Sequence, residues 1–211
     1  KRVVKIDLEN REIHFEDGSA EKYKELICTL PLNFVVKMAD LDVGVEPDPA
    51  TSVLVVNIGA VKTSKCPSEH WLYIPKSKAG FHRVGFYSNV DVSFIPMAKT
   101  DRVSIYVEKA YRYGYKPSKG EIEKICQEIV KELQEWGWIK DVEVVDPTWI
   151  DVAYTWSMPG SKWVNRAIKM LEEEGVYMVG RYARWKFQGI ADSIKDGLIA
   201  GGSFRQGFRY G

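Results

Sequence analysis

The chain has 211 residues, 45% of them hydrophobic, enough to bury the core of one large domain or two small ones. Its 30 Lys and Arg against 29 Asp and Glu leave a net charge of +1, which excludes a general electrostatic attraction to nucleic acid or to a membrane surface. Cys28, Cys66 and Cys126 form no C-x-x-C pair and no metal pattern with His14, His70 and His82, and no run approaches the roughly 20 apolar residues of a bilayer span.

The three thiols therefore read as reduced and structural, with no metal site and no membrane span expected. The N-terminal Lys1-Arg2-Val3-Val4 lacks the apolar run of a signal peptide, so a cytoplasmic location is the expectation. A start without methionine, directly inside a strand-like run, suits a cut or processed fragment.

Residues 3 to 8 and 12 to 15 read as two short strands around Glu9-Asn10-Arg11, with Asp17-Gly18 marking the next turn. Lys22 to Leu32 reads as a returning strand that ends at Thr29-Leu30-Pro31-Leu32. Apolar runs at 52 to 61, 71 to 75, 83 to 87, 102 to 107 and 142 to 145 fit strands of a mixed or antiparallel sheet, most of them separated by Pro and Gly.

Ser118 and Glu121 form a capping-box pattern ahead of a helix over about 119 to 136. Ile122, Ile125, Ile129, Leu133 and Trp136 share its apolar face, and Gly137 ends it. A second helix, about 162 to 174, presents Val164, Ala167, Ile168 and Leu171 inward and stops at Gly175. Glu172, Glu173 and Glu174 oppose its dipole, so packing must hold it. Residues 179 to 202 then read as a strand ending at Gly180-Arg181, an aromatic-basic loop, and a helix starting near Ile190. The last residues, 203 to 211, read as a loosely held tail, glycine-rich and basic, for which stacking on RNA is the lesser alternative.

Gly180, Arg181, Tyr182, Trp185, Phe187, Ile190 and Asp192 fall in register with a C-terminal flavin motif, Gly-Arg-aromatic-Gly-x-Trp-x-Tyr-x-x-Met followed by an acidic residue and a helix. Ala183 stands where that motif has glycine, and Phe187 where it has tyrosine. Upstream, Trp71-Leu72-Tyr73-Ile74-Pro75 and Phe81-His82-Arg83-Val84-Gly85-Phe86-Tyr87-Ser88-Asn89 match two further elements in the same order, with Lys76 in place of an acidic residue.

On these residues the chain resembles the FAD-dependent amine oxidase superfamily, in its protoporphyrinogen-oxidase-like and UDP-galactopyranose-mutase-like branches. The resemblance implies an α+β fold: a mixed, largely antiparallel sheet of a substrate-binding domain with flanking helices, plus partial elements of an FAD-binding domain. It implies a division into residues 1 to 33 (partial FAD-domain meander and return strand), 34 to 175 (substrate-binding domain), 176 to 202 (flavin wall) and the tail.

It further implies FAD as cofactor, contacted by Gly180, Arg181, Ile190, Ala191 and Asp192. A helix start offers free N–H groups and a partial positive charge to the negative edge of a reduced flavin. Substrate binding would fall to Arg83, Arg181, Tyr73 and Asn89, the two arginines meeting a diphosphate in the mutase branch. The family's Gly-x-Gly-x-x-Gly dinucleotide motif is absent from these 211 residues. The expectation is therefore the C-terminal portion of an FAD-dependent oxidoreductase-like protein, acting on a small molecule and not competent in flavin catalysis alone. It would need an N-terminal Rossmann-type half, or self-association. A sugar-nucleotide mutase portion and a non-catalytic binding module are the alternatives.

Overall fold

A computed structural model describes residues 1–97 and 99–205. In chain order the elements begin with β1 (Val3–Asp7), β2 (Glu12–Phe15), β3 (Ala20–Lys22), β4 (Leu26–Cys28) and α1 (Leu32–Met38). The middle holds β5 (Ala50–Lys62), β6 (Trp71–Tyr73), β7 (Arg83–Phe86), the single-turn α2 (Tyr87–Val90), β8 (Arg102–Arg112), α3 (Lys119–Glu135) and β9 (Ile139–Thr155). The chain continues through α4 (Trp163–Glu173), β10 (Val176–Met178) and α5 (Ile190–Arg205). The fold is α+β, as the sequence leads one to expect, and it divides into two compact units: Lys1–Ala50 with the chain from Tyr154 onward, and Thr51–Ala153.

The first unit opens with an antiparallel meander, β1-β2-β3, in which Ile6 faces Ile13 and Ile13 faces Glu21. Its second sheet is a parallel pair, β4 and β10, in register Leu26↔Val176, Ile27↔Tyr177 and Cys28↔Met178. The returning strand is thus confined to Leu26–Cys28, and β10 stops at Met178, before the expected Gly180-Arg181. Gly175, at φ +77°, turns the end of α4 into β10, and its carbonyl accepts from the Leu26 N–H. Trp163, Ala167 and Leu171, spaced four apart on α4, are fully buried, so the inward face is rotated toward Trp163 from the expected Val164 and Ile168. Burial of this stripe outweighs the unfavourable glutamates at the helix end.

The second unit is a five-stranded sheet in the order β6-β7-β8-β5-β9. The pairs β6–β7, β7–β8 and β8–β5 are antiparallel. Ser52 Oγ donates to the Asp151 carbonyl and Asn57 Nδ2 to that of Asp146, so residue numbers run in opposite directions along β5 and β9. One sheet face, with Leu54, Val56 and Ile58 on β5 and Val103, Ile105 and Val107 on β8, packs under Cys126, Ile129 and Leu133 of α3. The capping box forms: the Ser118 hydroxyl accepts from the Glu121 N–H, and the Glu121 carboxylate accepts from the Ser118 N–H at 2.8 Å.

Glu132 of α3 is 4% exposed and accepts three hydrogen bonds of 2.8 Å, from Ser77 Oγ and the N–H groups of Lys78 and Ala79. Burial pushes its carboxyl up, but the Ala79, Lys78 and Ser77 donors together outweigh that effect and hold it below the ordinary glutamate value. Lys109 Nζ donates to the Ala79 carbonyl, so the turn ahead of β7 is tied to both α3 and β8.

On the opposite sheet face, the Tyr106 ring lies flat over Gly85, its cross-strand neighbour, where a Cβ would collide with the ring.

Two outcomes follow for stability. Glu132→Gln should cost about 1–3 kcal/mol in urea unfolding, because two buried N–H donors lose a charged acceptor. The native carboxyl is depressed, so its contribution is full above the unfolded value of about 4.3 and is lost as pH falls below it. The gap between wild type and Glu132→Gln should therefore narrow in acid. Gly85→Ala should cost about 1–3 kcal/mol by forcing Tyr106 off the sheet, while Ser104→Ala on the same face should leave the unfolding midpoint nearly unchanged.

Candidate functional site

In the first unit, the chain leaves β10 with Val179 N–H donating to the Cys28 carbonyl at 3.0 Å, and Gly180 then takes φ +88°. A cleft of about 640 Å³ opens here, lined by Thr29, Gly180, Arg181, Gln188, Ile190 and Ser193 among others. The cleft therefore lies between the end of the parallel pair and the first turn of α5. Gly180, Arg181 and Ile190 all line it, as the sequence grouping places them together.

The Arg181 guanidinium lies 4.8 Å from the Phe187 ring centroid and 5.5 Å from that of Tyr182, and Nη1 donates to the Gln188 carbonyl at 3.2 Å. Its Nε is buried without a partner among the described residues. Gln188, which no sequence signal marks, closes the loop by donating to Ser193 Oγ at 3.2 Å and Asp196 Oδ2 at 3.1 Å.

The start of α5 is fixed by Asp192, whose carboxylate accepts from the Gly189 N–H at 3.0 Å, while Ser193 N–H donates to the Gly189 carbonyl. The N–H groups of Ile190, Ala191 and Asp192 belong to the first turn, where a helix has no internal acceptors.

Ala183 is fully buried without a positive φ; the left-handed conformations of this segment fall at Gly180 and at Trp185, φ +52°. The alanine thus fits where the motif has glycine. Trp185 is 1% exposed and packs edge-on against Trp163 at 5.1 Å, the packing that holds an uncommon conformation for a bulky residue. Phe187, by contrast, is 80% exposed.

α5 carries an apolar stripe in solvent: Ile190 is 83% exposed, Ile194 59% and Leu198 72%. It runs on through Gly201 and Gly202 to Arg205, so the glycine-rich stretch is helical at least that far. Of the tail expected to be loosely held, residues 203 to 205 are the end of this helix, and the rest, 206 to 211, lies outside the described residues.

In the second unit, Arg83 sits among three aromatic rings, its guanidinium carbon 5.6 Å from Trp71, 5.8 Å from Tyr73 and 5.4 Å from Tyr106. Nη1 reaches Glu108 Oε1, directly opposite on β8, at 3.3 Å. His82 Nε2 approaches the other carboxylate oxygen at 3.7 Å. Tyr87 extends the cluster, 4.7 Å from Tyr106 and stacked on Phe94 at 5.2 Å. Burial pushes the Tyr87 and Tyr106 hydroxyls up, so both stay neutral near pH 7.

Asn89 has a different position from the other residues of this group: its amide donates to the carbonyls of Pro67 and Glu69 at 3.0 and 2.8 Å, holding the loop before β6. Glu108 and Tyr106 are absent from the sequence grouping, since only strand register brings them to Arg83. Gly85, interrupting an apolar strand, is the one signal that could have pointed there.

Among the described residues no three His, Cys, Asp or Glu converge on a metal-sized point, and no helix is long and apolar enough to cross a membrane. Burial raises the thiol pKa of Cys28, Cys66 and Cys126.

No protein-family model matches the chain. Among solved structures it is similar to reduced UDP-galactopyranose mutase, with a TM-score of 0.73 and 19% identity over 88% of this chain and 41% of that one. It is also similar to an oxidoreductase from Methanosarcina mazei, with a TM-score of 0.51 and 14% identity over 95% of this chain and 48% of that one. The chain thus spans less than half the length of either protein. At such identities the likeness is one of fold, and what it establishes is that this chain shares the fold of part of those larger proteins.

Proposed function

We propose that the chain is the C-terminal, substrate-domain portion of an FAD-dependent oxidoreductase-like protein. Its first unit would supply one wall of the flavin site, and residues 51–153 the substrate side. The observation that carries this reading is the cleft at the start of α5, entered from a parallel strand pair within a fold matched at TM-score 0.73.

The residues present suit the cofactor. Gly180 lets the chain turn at the end of β10, the first turn of α5 offers the N–H groups of Ile190, Ala191 and Asp192, and the buried Nε of Arg181 is a cationic donor. Asp192 fixes the first turn through Gly189 and so orients those donors. Bound FAD would supply hydride acceptance in an oxidase, or a nucleophile when reduced in a mutase. The chain's own part is to bind, orient and exclude water.

The exposed stripe Ile190, Ile194 and Leu198 favours an absent partner over a free-standing, non-catalytic module, because a closed surface would not leave contiguous apolar side chains on one helix face. A Rossmann-type half carrying Gly-x-Gly-x-x-Gly is the partner this reading requires, with self-association the other way to cover the stripe. The mutase alternative draws on the higher TM-score of that comparison, and on each unit carrying an arginine stacked on aromatic rings, Arg181 in the first and Arg83, with Tyr73 beside it, in the second. Asn89 would then shape the loop next to the substrate rather than touch it.

The purified chain should carry no stoichiometric flavin absorbance and bind FAD only weakly; a yellow, flavin-saturated preparation of this polypeptide alone would overturn the split-site reading. Asp192→Ala should cost about 0.3–1 kcal/mol, because a negative group leaves the helix start. The loss should appear as faster amide exchange at Gly189 and Ser193, with the second unit's sheet unchanged.

A further inference from the structure

We propose that the groove between α3 and β9 is a binding site for an organic cation in which a planar, guanidinium-type head is carried on a compact apolar body. The groove lies in the second unit, on the α3 side of the sheet, and is separate from the aromatic face around Arg83.

Its origin is a matter of widths. A helix is about 10 Å across and strands lie about 4.8 Å apart, so one helix covers about two strands. α3 is seated over β5 and β8 through Ile129 and Leu133, and β9 lies beyond β5 at the sheet edge, outside that span. Val145 is left 39% exposed, and a cavity of about 360 Å³ remains between the strand and the flank of the helix.

The walls are apolar: Val142, Val145 and Pro147 from β9, and Cys126 and Val130, one turn apart, from α3. Burial raises the Cys126 thiol pKa, so this wall carries no charge near pH 7. Glu123 is the one charged residue that lines the cavity, and Gln127 follows it one turn later on the same flank. Among the described residues the Glu123 carboxylate forms no ion pair. Lys124 and Lys131 on the same helix are engaged by Glu128 and Glu135, and Lys119, a turn before Glu123, stays beyond ion-pair distance.

This combination selects the ligand. Apolar walls around a volume in the range of small-molecule sites take up a hydrocarbon ring or a branched chain. An unpaired carboxylate at the rim favours a positive head and opposes a negative one. A guanidinium suits it best, because its planar fork gives a carboxylate two parallel N–H bonds and leaves further N–H groups for the side-chain carbonyl of Gln127. Glu123 is exposed to water, so the charge contributes modestly and is screened by salt, and the apolar body supplies most of the affinity.

The test titrates the purified chain with benzylguanidinium, its neutral isostere benzylurea, the anion phenylacetate, and methylguanidinium, which keeps the head without the apolar body. Binding is read by amide shifts in NMR and by alkylation of the three cysteines, resolved by peptide mass spectrometry. Benzylguanidinium should bind saturably, shift the amides of Gln127, Val130 and Val145, and slow alkylation of Cys126 without slowing that of Cys28 or Cys66. Benzylurea should bind about two- to fivefold more weakly, the range of an exposed charge pair, and the gap should close in about 0.5 M salt. Phenylacetate and methylguanidinium should bind more weakly still. Glu123→Gln should bring benzylguanidinium down to the benzylurea level, and Val145→Lys, which puts a cation in the groove, should weaken it about tenfold or more. Both positions are exposed, so both variants should keep the wild-type circular dichroism. Absence of saturable benzylguanidinium binding by the folded wild-type chain, benzylurea binding as tightly, or an unchanged affinity in Glu123→Gln would overturn the proposal. So would a dimer in sedimentation that Val145→Lys disperses, since the groove would then belong to a second copy of the chain. No arm of the experiment uses flavin, so the flavin-wall reading stands or falls separately.

Discussion

Two parallel strands cannot be joined by a tight turn, and that constraint organises this chain. After β4 the polypeptide must leave and return in the same direction, and it spends α1, all of residues 51–153 and α4 before β10 pairs with β4. The crossover is therefore not a single helix but contains a whole second unit. The pair itself is three residues per strand, far below what a parallel sheet needs to stand alone. All of β10 is buried, whereas Ile27 on β4 is half exposed, and the apolar stripe of α5 belongs to the same unit. Both features suit a fold that is continued by further structure.

What was legible in the sequence was local. The capping box at Ser118 and Glu121, the face from Ile122 to Trp136, the two N-terminal strands and the helix after Ile190 all rest on neighbours within a few residues. From apolar patterning alone, β9 was legible only at 142 to 145. It lies at the sheet edge and its middle is mostly exposed, so charged Lys140, Asp141, Glu143 and Asp146 break the apolar alternation on which strand reading depends. Nothing in the local sequence singles out Glu132. Its burial depends on a turn more than fifty residues earlier, which no periodicity reports. In the cleft, Gly180, Arg181 and Ile190 came from a contiguous motif and were found together, whereas Glu108 joins Arg83 only through β7–β8 register.

The two arginines illustrate how little residue type says about electrostatics. Each is stacked on aromatic rings, which suits a guanidinium better than an ammonium. Arg181 ends on a carbonyl, which takes a hydrogen bond but cancels no charge. Arg83 ends on a carboxylate, which does. The first is a local source of positive potential at the mouth of a cleft; the second is half of a dipole. The difference lies in one partner atom.

β9 is the longest strand among the described residues and forms one end of its sheet. A free edge of that length is a template on which another polypeptide could lay itself, the geometry from which fibrils grow. Pro147 sits near its middle and has no N–H to offer, with the acidic Asp146 before it and Glu143 and Asp141 upstream. An incoming strand would lose a ladder bond and meet a row of carboxylates. At the other end β6 is only three residues long. The sheet therefore offers no long, regular edge at either margin: one is interrupted by a proline and the other is three residues long.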